Sequence, residues 1–157
     1  MLRVTRTLSG ALLAATLVPI AFASQTHVTT PSTWVLNLKE SDFGGGPRMK
    51  SDVVTILTDT AKWLKYTDVT VDGDGKTWKT SWSGAADGKA LPVKGMSGAS
   101  YSEDAASDTQ VMNLPDGTAI SCGYSLSADK KKLTDKCVAK AKDGKTFNQT
   151  LIYDRTK

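Results

Sequence analysis

From Thr33 onward the chain alternates, with apolar and polar side chains changing places residue by residue. A period of two is the signature of a strand with one buried face, and it excludes amphipathic helices, whose apolar positions recur at three and four. Trp34, Leu36 and Leu38 share one face of the run 33–38, and Ser51 to Thr58 is rich in Val, Ile and Thr. Between Lys62 and Asp72, one face carries Trp63, Lys65, Thr67, Val69 and Val71, and the other Leu64, Tyr66, Asp68 and Thr70. Lys76 to Gly84 sets Trp78, Thr80 and Trp82 together, and further runs follow at 90–94, 109–114, 118–127, 131–142 and 146–154. Asp72-Gly73-Asp74-Gly75, Asp87-Gly88, Asp116-Gly117 and Asp143-Gly144 punctuate them. Such pairs tolerate the positive φ that hairpin turns require. The pattern predicts an all-β antiparallel meander of about nine or ten strands, closed into a barrel or strongly curved. Ser41 to Lys50, with Gly44-Gly45-Gly46-Pro47, reads as a loop, and Met96 to Ala106 as a longer loop carrying one ragged strand.

The first residues follow a different rule. Arg3 and Arg6 precede an uncharged apolar stretch, Leu8 to Phe22, and Ala21-Phe22-Ala23 has the small-x-small form of a cleavage site. Residues 1–23 are therefore expected to be a signal peptide, 24–32 an unstructured lead-in, and 33–157 a single domain. The protein is expected to be exported, to the periplasm or beyond the cell, with no integral membrane span once the leader is removed. The whole chain has 20 Lys and Arg against 16 Asp and Glu; without Arg3 and Arg6 the basic count falls to 18. The densest basic run, Lys130-Lys131-Lys132, falls at a hairpin with no interleaved aromatics, so no nucleic-acid partner is expected.

The two cysteines test the hairpin reading. Pairing the runs on either side of Asp129-Lys130 sets Cys122 opposite Cys137, Leu126 opposite Leu133 and Ile120 opposite Ala139. Opposed Cβ atoms of a non-hydrogen-bonded pair come close enough to be bridged, and an exported protein meets oxidising conditions. A Cys122–Cys137 disulfide is predicted, with two buried free thiols as the alternative. The same register puts Asp135 on the face of Leu133, opposite Tyr124. An inward carboxylate there would need a partner, such as the Tyr124 hydroxyl or a lysine, and a small register error would turn it outward.

Catalytic and metal chemistry finds little footing. The single histidine, His27, falls in the lead-in, and no His/Cys cluster offers metal ligands. Asp72-Gly73-Asp74-Gly75 resembles the start of a calcium loop, but Lys76 and Ser83 stand where an oxygen ligand and a glutamate are needed. Gly95-Met96-Ser97-Gly98-Ala99 misses the nucleophile-elbow pattern at its last position. Glutamate is scarce, aspartates gather in turns, and nothing in the sequence places two carboxylates together. No catalytic residue, metal or cofactor is expected. Trp63, Trp78 and Trp82 lie on adjacent predicted strands and Tyr124 on a later one. They are candidates for the wall of a ligand cavity, with ordinary core packing as the competing use.

Thr33-Trp34-Val35-Leu36-Asn37-Leu38, with Ser41, Phe43, Pro47 and Lys50-Ser51, resembles the opening motif of a family of secreted bacterial proteins. Asp87-Gly88-Lys89 with Pro92-Val93 and Gly95, then Asp143-Gly144-Lys145-Thr146 and Ile152-Tyr153, extend the resemblance along almost the whole of 33–157. That family is described as lipocalin-like, which implies a small antiparallel barrel. It supplies no catalytic residues to carry over, and it lacks the cysteine pair. The expected function is non-catalytic binding of a small apolar or amphipathic molecule in the barrel. The alternative is an envelope or extracellular protein-interaction or inhibitor module with a filled core.

Overall fold

The computed structural model describes residues 27–157. The expected signal peptide, 1–23, and the first part of the lead-in, 24–26, lie outside the described residues. Ten strands follow one another with no helix among the described residues: β1 (Ser32–Leu36), β2 (Met49–Thr60), β3 (Trp63–Asp72), β4 (Thr77–Ala85), β5 (Leu91–Pro92), β6 (Ser100–Asp104), β7 (Thr109–Asn113), β8 (Ala119–Leu126), β9 (Lys132–Lys140) and β10 (Thr146–Arg155). All neighbours are antiparallel, in the order β4-β3-β2-β1-β10-β9-β8-β7-β6-β5. The meander is interrupted once, where β1 lies between β2 and β10. The result is a nearly closed barrel.

Closure depends on the seam between β4 and the β5–β6 segment. There Ser81 and Lys94 exchange two backbone hydrogen bonds of 3.0 Å, and Gly88 N donates to Glu103 O at 2.7 Å. Tyr66, Trp82 and Tyr101 meet behind the seam, with ring centroids 4.9–6.3 Å apart. Edge-to-face and offset contacts of this kind add to the burial of large rings. Gly95 (φ +90°) passes so close to β4 that a Cβ there would collide with the Lys79 carbonyl oxygen. A residue without a side chain is what allows the seam to close.

Two apolar clusters fill the wall. One joins Val28, Trp34, Leu36, Phe43, Leu133, Leu151 and Tyr153; the other joins Leu64, Tyr66, Trp82, Val93, Ala99 and Tyr101. Trp34 is 1% exposed, and its indole N–H donates to Ser32 Oγ at 2.9 Å. Residues 27–31 have no regular secondary structure but are not a free lead-in, and Ser32 already belongs to β1. Val28 is buried, its N–H donates to Asp59 Oδ2 at 2.7 Å, and His27 Nδ1 lies 3.0 Å from Asp59 Oδ1. What anchors this segment is a β-bulge at Leu57, between the pairs Ile56–Tyr66 and Thr58–Lys65. The extra residue restarts the alternation and brings Asp59 to the inner face beside Ile56.

β8 and β9 pair in the predicted register: Cys122 faces Cys137, Tyr124 faces Asp135, Leu126 faces Leu133 and Ile120 faces Ala139. The two cysteines form a disulfide. The turn between them places Lys130 at φ +57°, a conformation that Asp-Gly usually supplies.

Candidate functional site: a carboxyl-lined interior

The barrel is not filled. A cavity of about 400 Å³ extends toward the end formed by the β1–β2, β3–β4, β5–β6, β7–β8 and β9–β10 connections, and one of about 180 Å³ occupies the other end. Met49, Met96, Met112, Ile120, Phe147 and Leu151 give the larger one a mainly apolar wall, which the disulfide shares. Three of the chain's four methionines are therefore spent on this surface, where their flexible thioethers adapt to varied shapes. Val28 lines the smaller cavity and Asp72, Trp78 and Asp116 the outer part of the larger.

Asp52, Asp68, Tyr101, Asp135 and Tyr153 line both cavities and form a waist between them. Thr70 Oγ1 lies 3.0 Å from Asp52 Oδ1 and 3.1 Å from Asp68 Oδ2. A hydroxyl carries one hydrogen, so it serves both carboxyls only when one of them holds a proton of its own. Tyr153 donates to Asp52 Oδ2 at 2.8 Å, and Tyr101 donates to Glu103 Oε2 at 2.8 Å. Asp68 Oδ1 and Asp135 Oδ1 are buried without any hydrogen-bond partner. No lysine or arginine lines either cavity among the described residues. Asp59 has His27 beside it; the other interior carboxyls have no basic side chain in contact.

Burial without a counter-ion favours the neutral acid. It pushes Asp68 up to about 8, with the nearby Asp52 adding to the effect. Asp135 rises to about 7 through burial, then through Asp52 and Glu103. Glu103 also rises to about 7, chiefly by burial, although the Tyr101 hydroxyl opposes the shift. The phenols of Tyr66, Tyr101, Tyr124 and Tyr153 are all held above the usual phenol range, again mainly by burial. Among the described residues no three carboxylate, histidine or cysteine side chains converge closely enough to hold a metal ion.

The four expected wall residues part company. Trp78 lines the larger cavity and Tyr124 the smaller. Trp82 is 3% exposed and sits in the packed seam rather than at a cavity surface. Trp63 is a correction: it is 46% exposed on the outer face, its indole N–H donating to Ser83 Oγ at 3.2 Å. Its strand turns Leu64, Tyr66 and Asp68 inward, so the ring carried by the opposite parity faces solvent. The expectation that no two carboxylates come together is also overturned. Asp52 and Asp68 meet because Asp52 pairs with Thr70 across β2–β3 and Asp68 precedes Thr70 by one full pleat. Asp135 faces inward as its register required, but with neither a lysine nor a hydroxyl on Oδ1.

Fold and site together define a small antiparallel barrel with an acidic waist and an apolar chamber. The chain matches no protein-family model, and a search of curated proteins finds no significant match.

Proposed function

We propose that this protein is a non-catalytic carrier or scavenger that holds a small amphipathic molecule inside its barrel, outside the cytoplasm. The observation that carries the reading is the larger cavity. At about 400 Å³ it falls within the range of small-molecule sites, and its mainly apolar wall carries a few polar groups, at the waist and at the outer end. A barrel that served only as a rigid interaction module would gain stability by filling that space. The Cys122–Cys137 disulfide supports an oxidising compartment, and the resemblance to secreted lipocalin-like proteins supports the same placement.

Native mass spectrometry of protein isolated from its own compartment tests this. A small bound mass that leaves on denaturation is expected, together with blue-shifted emission when N-phenylnaphthylamine is added to the emptied protein. Bare protein that also leaves the dye unbound would refute the reading, and a tightly held polypeptide in place of a small molecule would favour the interaction module.

A further inference from the structure

We propose that the occupant is an organic cation, an ammonium joined to an apolar body, with its charge at the waist. This rests on the interior-binding reading and specifies the ligand class. The waist offers acceptors and almost no donors free to use: Asp52 takes hydrogens from Thr70 and Tyr153, the Tyr101 hydroxyl is given to Glu103 in the smaller cavity, and Asp68 Oδ1 and Asp135 Oδ1 have no partner. A buried carboxyl oxygen without a donor is costly, and the cost is relieved by a donor that also carries positive charge. No side chain of the wall supplies one among the described residues. Lys76 is nearby, but its ammonium lies 3.6 Å above the Trp78 ring, engaged at the turn that ends β3.

Size and shape separate this occupant from simpler cations. Asp52 and Asp68 meet at Thr70, but no third carboxyl joins them among the described residues, which suits an ammonium with several hydrogens better than a metal ion. The apolar chamber next to the waist accommodates the body, between Met49, Met96, Met112 and Phe147. An anion would face the same carboxyls with no compensating group. A neutral alcohol would satisfy one acceptor and, above the pH at which these acids ionise, leave the charge unbalanced. In the empty protein protons take the place of the cation, as the raised values of Asp68, Asp135 and Glu103 reflect.

The test is calorimetric titration at pH 8.5 with three probes of similar size: 2-phenylethylammonium, 2-phenylethanol and 3-phenylpropanoate. The ammonium is expected to bind at least tenfold tighter than the alcohol, with no binding of the carboxylate at millimolar concentration. Asp135→Asn and, separately, Asp68→Asn should each reduce that preference severalfold. Both replacements remove a strained charge and keep the shape, so the variants are expected to fold, with circular dichroism as the check. Equal binding of alcohol and ammonium, or a preference for the carboxylate, overturns the cation proposal and leaves the interior-binding reading standing. Failure of all three probes to bind overturns the cation proposal, and the N-phenylnaphthylamine experiment then decides the interior-binding reading on its own.

Discussion

Asp52 and Asp68, carried by adjacent strands, converge on the single hydroxyl of Thr70, at 3.0 and 3.1 Å. One hydroxyl hydrogen cannot serve both carboxyls, and burial keeps a proton on Asp68, so the pH dependence of folding follows. Asp68 at about 8, and Asp135 and Glu103 at about 7, lie above the ordinary carboxylate range that the unfolded chain would show. The folded state therefore binds more protons than the unfolded one between about pH 4 and 8, and stability falls as pH rises through that window. The groups facing these acids are Asp52, the buried Tyr66, Tyr101 and Tyr153, the half-buried Tyr124, and Asp108 and Asp59, the last with His27. The turn aspartates Asp116, Asp129 and Asp143 and the strand-end aspartates Asp72 and Asp104 are shifted down, and above pH 5 they are ionised in both states. Thermal unfolding should thus show a Tm lower at pH 8.5 than at pH 5 by roughly 3–10 °C. Asp68→Asn should flatten the slope. A Tm that rises across this window would contradict the assignment.

The seam supplies a second prediction. Gly95→Ala introduces a Cβ at φ +90° and drives it into the Lys79 carbonyl. A loss of about 2–4 kcal/mol is expected in urea unfolding, from backbone strain plus overpacking. Gly45→Ala is the control: φ is +79°, yet nothing lies within 4 Å of the added carbon. It should cost only about 1 kcal/mol, from the backbone alone.

The disulfide joins residues 15 apart. Replacing both cysteines with alanine should lower stability by about 3 kcal/mol on the loop-closure argument, seen as a Tm lower by roughly 10 °C. Both sulfurs belong to residues of the larger cavity wall, so the variant should still brighten N-phenylnaphthylamine, in a slightly larger chamber.

Indole fluorescence distinguishes the tryptophans. Trp78 lines the chamber, whereas Trp63 stands in solvent. Trp63→Ser should alter stability by less than about 0.5 kcal/mol and leave ligand affinity unchanged. Trp78→Ala should weaken amphipathic ligands several-fold and remove most of the emission change on binding. Equal effects of the two replacements would mean that the ligand does not enter the chamber.

The alternation was enough to read the meander, and the two cysteines even fixed the register of β8 and β9, because a period of two leaves one consistent pairing about Asp129-Lys130. Trp63 shows where that kind of reading stops. Parity says which side chains share a face, but not which face is inside, and in β3 the inward face is the one that carries Asp68 while the indole points out. Asp59 shows a second limit: the bulge at Leu57 shifts the parity, and no residue there announces it. The acidic waist was illegible for a further reason. Asp52, Asp68, Glu103 and Asp135 come from four strands, and each looked like an ordinary polar residue in its own run. Only Asp135 carried a sign, through its place between Leu133 and Cys137.

The position of β1 has a consequence for how the molecule is assembled. Its two neighbours are β2, which follows after the loop 37–48, and β10, the last of the ten strands. Until β10 docks, Trp34 and Leu36 have only half of their shelter, and the sheet remains a curled ribbon with an open edge. The pairing of β1 with β10 joins positions far apart in sequence, such as Leu36 and Tyr153, so it forms late and comparatively slowly, apart from the seam at which β4 meets the β5–β6 segment. A chain that has not yet placed its tenth strand would therefore have no finished chamber.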